Sequence, residues 1–171
     1  MLEASFQVSI LRPYFENLGE RLVKSPKVYF LDTGLLSYLV GLRDPALAAS
    51  GPLGGSLFEN LVAVEIYKTL AHRGEEPLFY FWRTAAGVEV DFIVEGRGTA
   101  VSNVENASKI LAVPVPVEAN LSATPRARMA RGVAGFRRDF GERAGVGYEV
   151  HLGETILPLG DGTIALPYSA L

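Results

Sequence analysis

Apolar residues recur at helical spacing from Ser56 to about Gly74: Leu57, Leu61, Val64 and Ile66, widened by Phe58, Val62 and Leu70. Ser56-Leu-Phe-Glu59 has the form of a capping box, with serine at the N-cap and glutamate three residues on, and His72-Arg-Gly74 supplies an end. Three strand patterns follow. Leu78–Arg83 is aromatic-rich, and Ala85-Ala-Gly87 is a tight turn with glycine available for positive φ. Val88–Glu95 then alternates, predicting Val88, Val90, Phe92 and Val94 on one face and Glu89, Asp91, Ile93 and Glu95 on the other. Val113–Ala119 is the third strand. Its Pro114 and Pro116 predict an edge position or a late start to regular pairing, because proline cannot donate to a ladder. Thr124-Pro125 reads as an N-cap and N1 proline opening a helix to about Glu142, with Met129, Val133, Phe136 and Phe140 on its buried stripe. Gly147–Leu152 is a fourth strand, and Gly160-Asp-Gly162 turns a hairpin into Ile164–Pro167.

The first 45 residues read differently. Lys24-Ser-Pro-Lys27 is a polar turn and Val28–Leu31 a short strand. Asp32 caps a short helix through Leu35, Leu36 and Leu39 to Gly41. Residues 44–55, rich in Ala, Gly and Pro, read as a loop, and residues 96–110 as a polar excursion. The expectation is a helical N-terminal extension over 1–45, then an α/β domain over 46–171 with a mixed sheet and the order helix, three strands, helix, strand.

Composition narrows the chemistry. The chain has 171 residues, a formal net charge of −3, two histidines and no cysteine. Thiolate metal sites and disulfides are excluded, and a typical structural zinc site is short of ligands. Nucleic-acid binding would have to come from a local patch. No apolar run approaches the ~20 residues of a membrane span and no signal-peptide pattern opens the chain, so the expectation is a cytoplasmic protein without a membrane partner.

Three acidic stretches carry candidate chemistry: Ser56-Leu-Phe-Glu59 on a helix, and Glu89-Val-Asp91 and Glu118-Ala-Asn120 on strands. Phosphodiester hydrolysis needs a hard divalent cation on oxygen ligands, an activated water and stabilisation of added negative charge. Asp91 and Glu118 on neighbouring strands suit Mg²⁺ or Mn²⁺, with Glu59 joining from the helix. The bland readings are a capping role for Glu59 and an ordinary solvated strand face for Glu89 and Asp91. Arg126, Arg128, Arg131, Arg137, Arg138 and Arg143 are either phosphate contacts or a solvated helix face. Arg83 either binds phosphate or pairs with Glu89. Phe79, Tyr80, Phe81 and Trp82 read as core before base-stacking surface, and His72 and His151 as structural or surface residues.

Residues 20–41, Gly55-Ser-Leu-Phe-Glu-Asn-Leu-Val-Ala-Val-Glu-Ile66, Trp82-Arg-Thr84, Glu89-Val-Asp-Phe-Ile-Val94 and Pro116-Val-Glu118 together resemble one family. It is the uncharacterised C-terminal domain (domain of unknown function 4143) of prokaryotic AAA-type ATPases, itself similar to the PD-(D/E)XK nuclease fold. The resemblance implies a restriction-endonuclease-like core. It also implies a site of Glu59, Asp91 and Glu118, all three toward a metal, with Asn120 standing where the family's Glu-x-Lys motif has lysine. A neutral amide there supplies no positive charge, which puts catalysis in question and leaves a non-enzymatic recognition or assembly module as the alternative. The resemblance further implies an ATPase preceding this domain as its partner. No Gly-x-x-x-x-Gly-Lys-Ser/Thr loop occurs, so the chain reads as a fragment with no P-loop ATPase activity of its own.

Overall fold

A computed structural model describes residues 1–14, 25–74, 76–96 and 113–171. Its strands are β1 (Val8–Pro13), β2 (Lys27–Phe30), β3 (Phe79–Arg83), β4 (Glu89–Gly96), β5 (Val113–Ala119), β6 (Gly147–His151), β7 (Leu157–Gly160) and β8 (Thr163–Pro167). Its α-helices are α1 (Thr33–Leu39), α2 (Pro45–Ser50), α3 (Gly54–His72) and α4 (Arg131–Phe140). One mixed sheet runs in the order β2-β1-β3-β4-β5-β6-β8-β7. From α3 onward the order helix, three strands, helix, strand is present, with β3, β4 and β5 antiparallel and β6 parallel to β5.

The two faces of the sheet carry separate cores. Phe58, Val62, Ala63, Ile66 and Leu70 of α3 pack on Phe79, Phe81, Phe92, Val117 and Val150. Phe136 and Phe140 of α4 pack on Trp82, Val90 and Ile93. There the rings of Phe136 and Phe140 stack 4.1 Å apart, and Trp82 meets Phe136 edge-on at 5.5 Å. The aromatics of β3 are thus core, as the strand pattern suggests.

Several elements depart from the sequence pattern. The short strand and helix expected before Gly41 are present as β2 and α1, but the described residues before them form a strand of the sheet: β1 pairs antiparallel with β2 through Val8–Leu11 and parallel with β3 through Arg12 and Pro13. The change of partner breaks the period-2 burial, leaving Val8 and Leu11 buried three apart, a helix-like spacing. The loop expected at 44–55 contains α2, opened by Asp44, whose carboxylate accepts from Ala46 N–H, and by Pro45. Ser56 is not an N-cap. α3 starts at Gly54 behind Leu53, without a side-chain cap, so no capping box forms. Thr124-Pro125 does not open a helix either. Arg126 is extended, a 3₁₀ turn spans Ala127–Ala130, and α4 begins only at Arg131. The cap expected at Asp32 is present, its carboxylate accepting from Leu35 N–H.

β5 is an interior strand, against the edge position its prolines suggest. Ala119 N–H points toward β4, where it meets Asp91, and Asn120 N–H points toward β6, where it meets Val150 O. Alternation therefore turns the absent N–H groups of Pro114 and Pro116 toward β6, which pairs with β5 only from Val117 onward. The late start to pairing is how the prolines are tolerated. β4 also breaks its expected alternation. Tyr80 pairs with Ile93 but Trp82 with Val90, so Phe81 opposes two residues, Asp91 and Phe92. Beyond this bulge Phe92 and Val94 join the α3 core while Val90 and Ile93 join the α4 core. The polar excursion beyond Gly96 lies outside the described residues.

Candidate functional site

The bulge in β4 sets the site. It holds Asp91 at the seam between the two sheet faces, where Asp91 Oδ2 accepts from Ala119 N–H of β5 at 3.0 Å. Glu89, two residues earlier, forms a register pair with Arg83, and Arg83 Nε lies 2.8 Å from Glu89 Oε2 in an ion pair. Of the two readings of Arg83, the ion pair is the one observed.

On the α3 side the acids converge on a lysine that the sequence motifs did not single out. Lys27 Nζ of β2 lies 2.5 Å from Glu89 Oε1, 3.0 Å from Glu59 Oε1 and 3.6 Å from Asp91 Oδ1. Its ammonium also stands over the Phe81 ring, 5.6 Å from the centroid. Burial alone would lower the Lys27 pKa, but Glu59 and Asp91, with hydrogen bonds to Glu89 and Glu59, outweigh it and raise the value. Tyr29, two residues along β2, donates to Glu59 Oε1 at 2.5 Å, and burial followed by the Glu59 charge pushes its phenol pKa up. Glu59 is thus taken up by Lys27 and Tyr29, and no capping role competes for it.

β2 is held in place by the residue next to Glu59. The buried Asn60 amide donates to Phe30 O at 2.9 Å and accepts from Phe30 N–H at 2.8 Å, with a further bond to Thr33 Oγ1 at 3.0 Å. A side chain of α3 thereby satisfies backbone of an edge strand as a neighbouring strand would.

The α4 side is built differently. Glu118 of β5 pairs in register with Glu149 of β6, which puts two carboxyl groups side by side. α4 closes over Glu118 so tightly that a Cβ on Gly132 would stand 1.9 Å from Glu118 Oε1 and 1.9 Å from Glu89 O. Burial, then the charges of Asp91 and Glu149, hold the Glu118 carboxyl protonated far above its ordinary range, within hydrogen-bonding reach of Asp91. Asp91 is pushed up as well, by burial and then by Glu59, while Lys27 and the Ala119 N–H act against the shift. Glu149 is fully buried, and among the described residues neither of its oxygens has a hydrogen-bonding partner of good geometry. Burial raises its pKa to about 8, although the nearby Asn120 amide pulls it back. Sequence reasoning passed over Glu149; a lone acid between Tyr148 and Val150 in a strand pattern was the available signal.

The structure therefore brings Asp91 and Glu118 together, sets Asn120 by Glu149, and turns Glu59 and Glu89 to Lys27. The oxygen-only donors of Asp91, Glu118 and Glu149, buried and short of positive charge, suit a hard divalent cation in their chemistry. As the side chains stand, no group of three or more His, Cys, Asp or Glu among the described residues is placed to hold a metal ion. Arg126, Arg128 and Arg131 are exposed on the segment leading to Gly132. Arg137 is structural, bonding Gly145 O and lying against Gly162. His151 is buried, with Nδ1 accepting from Gly153 N–H and Nε2 bonding Thr155 O. No helix among the described residues is long and apolar enough to cross a membrane.

Comparison with known proteins places the chain in a family. A model of a second domain of unknown function, DUF8612, matches residues 1–46. The uncharacterized protein Rv2008c of Mycobacterium tuberculosis and the uncharacterized protein Mb2031c of Mycobacterium bovis are each 40% identical over 88 residues, 52% of this chain and 19% of theirs. The chain thus spans about a fifth of the length of the curated relatives it matches. No solved structure matches it. The model of the domain of unknown function DUF4143 matches residues 54–171, the segment carrying Glu59, Asp91, Glu118 and Glu149, and the chain belongs to that family.

Proposed function

We propose that this chain is the nuclease-like module of a longer, ATPase-bearing protein, and that it cleaves phosphodiester bonds with Mg²⁺ or Mn²⁺. The observation that carries the reading is a charge mismatch: among the described residues, the linked carboxyl groups Glu59, Glu89, Asp91, Glu118 and Glu149 meet two basic groups, Lys27 and Arg83, which reach only Glu59, Glu89 and Asp91. Such a cluster either takes up protons or takes up a cation. Asp91 and Glu118 would hold the cation, with Glu149 behind them. A divalent cation bound there would supply Lewis acidity toward water and phosphate. The chain's own part is to orient the ligands. Ala119 N–H fixes Asp91, α4 presses Glu118 toward it, and Arg126, Arg128 and Arg131 offer charges to a DNA or RNA backbone. The order helix, three strands, helix, strand supports the likeness to a restriction-endonuclease-like core. The link to an ATPase domain of the same protein rests on that family likeness, and the greater length of the mycobacterial relatives leaves room for one.

A second reading is a non-enzymatic recognition or assembly module. Its support is that Glu59 is already engaged and that Asn120 brings no charge. Incubation with labelled DNA and RNA in Mg²⁺ or Mn²⁺ separates the two. Cleavage that disappears in Asp91→Ala supports the nuclease, whereas intact substrates in both metals select the assembly module.

A further inference from the structure

The family resemblance expects a basic group among these acids at position 120, and Asn120 does not provide one. Lys27 meets that need from 93 residues earlier in the chain. Its ammonium sits within 3.6 Å of Glu59, Glu89 and Asp91, in a place reached from β2, the outermost strand on its side of the sheet. Two devices hold it there. Asn60 clamps Phe30 of the same strand by both backbone groups, and Tyr29 ties the strand to Glu59. The site is thus assembled from two segments matched by different family models, with the lysine in residues 1–46 and all five carboxyl groups in 54–171.

We propose that Lys27 is the basic group of the acid site, in place of the one absent at Asn120, and that the 1–46 segment completes the site of the following domain. This assignment rests on the metal-dependent reading above. Before metal or phosphate arrives, the ammonium serves as an internal counter-ion for Glu59, Glu89 and Asp91. With a phosphodiester present, it is the group able to neutralise a non-bridging oxygen or orient the attacking water next to Asp91. It also repels an incoming divalent cation, since both positive charges address Asp91.

The opposed effects on metal and on cleavage define the test. Wild type, Lys27→Met and Lys27→Arg of the whole chain are compared by Mn²⁺ calorimetry and by single-turnover cleavage of labelled DNA and RNA, with thermal melts to verify folding. Lys27→Met is expected to bind Mn²⁺ about tenfold more tightly, because a nearby positive charge is gone. Its cleavage is expected to fall about 10²–10³-fold, the usual loss for one electrostatic group. Lys27→Arg, with charge kept and shape changed, should fall between the two. A positive charge that stands by the metal ligands tightens metal binding on its removal, so weaker or unchanged Mn²⁺ binding in a folded Lys27→Met overturns the assignment. So does cleavage at the wild-type rate. Wild type that neither binds Mn²⁺ nor cuts overturns the metal-dependent reading itself, and this role with it. If Lys27→Met does not fold, Lys27→Arg decides by the same two measurements: wild-type rate and affinity reject the assignment, and reduced cleavage with Mn²⁺ binding intact supports it.

Discussion

The two sides of the acid site treat their carboxyl groups in opposite ways. On the α3 side, Glu59 and Glu89 meet Lys27, Tyr29 and Arg83, and every acid has a donor within 3 Å. On the α4 side, Glu118 and Glu149 lie side by side, Glu118 beneath Gly132, and neither oxygen of Glu149 has a hydrogen-bonding partner of good geometry among the described residues. Asp91 belongs to both, with one oxygen near Lys27 and the other on Ala119 N–H. The difference teaches where the site is unfinished. Charge is balanced toward α3 and unbalanced toward α4, so a proton or cation is drawn to the Asp91–Glu118–Glu149 side. A buried acid with good partners organises a fold, whereas one without partners stores an unmet demand for charge.

The largest expected effect comes from closing the gap that lets α4 approach. Gly132→Ala places a methyl group 1.9 Å from both Glu118 Oε1 and Glu89 O, and backbone cannot yield as a flexible side chain can. Overpacking of this kind costs about 3 kcal/mol, more than the ~1 kcal/mol by which alanine favours a helix over glycine. Urea denaturation should show that loss. Unchanged stability would mean that α4 does not press on Glu118, and the two sides would no longer differ in packing.

Next comes the clamp on the balanced side. Asn60→Ala leaves Phe30 N–H and C=O without their partner and frees β2, at a cost of about 2 kcal/mol for buried polar groups stripped of bonds. Lys27 moves with the strand, so the loss should be accompanied by faster amide exchange over 27–30. A stability change without that local signature would detach Lys27 from the clamp.

The unbalanced side gives a pH-dependent prediction. Glu149 titrates at about 8 in the folded chain, above its ordinary 4.5. The native state then holds a proton that the unfolded state has released, so this contribution is complete below about pH 4.5 and is lost as pH rises toward 8. Glu118 and Asp91 are shifted the same way, for the same cause of burial. Metal-free protein should therefore melt at lower temperature at pH 8 than at pH 5.5. Glu149→Gln should narrow that gap, gaining about 1 kcal/mol at pH 8.5 and little at pH 5.5, since the amide carries no charge to bury. Equal melting at both pH values would show that Glu149 is compensated after all, and the contrast between the sides would fail.

Much of this was legible along the chain, and the failures have local causes. Apolar periodicity found α3 and the buried stripe of α4, and glycine punctuation found the turns at Gly87 and Gly160–Gly162, all with positive φ at their glycines. The same cap-plus-proline signal was true at Asp44-Pro45, where it was not used, and false at Thr124-Pro125. At the second site Ser122 Oγ already bonds Thr124 N–H and O, which fixes a turn there instead. A bulge carries no sequence mark of its own, so the face switch after Asp91 was invisible to alternation. Lys27 was beyond local reasoning for a different reason. Its partners lie 32, 62 and 64 residues away, and only the sheet order brings β2 over α3 and β4.

The smallest expected effect tests the balanced side from the sequence end. Ser56 and Glu59 have the spacing of a capping box, and in that role Glu59 would spend its carboxylate on backbone N–H at the helix start. In the structure Ser56 is exposed and inside α3, whose N-cap is Leu53 without a side-chain bond, while Glu59 serves Lys27 and Tyr29. A true serine cap loses about 1 kcal/mol on replacement by alanine. An exposed interior serine loses nothing and gains a few tenths from alanine's helix propensity. Ser56→Ala should therefore leave stability within about 0.5 kcal/mol of wild type, on the gaining side. A loss near 1 kcal/mol would restore the cap, draw Glu59 away from Lys27, and leave the α3 side as short of balance as the α4 side.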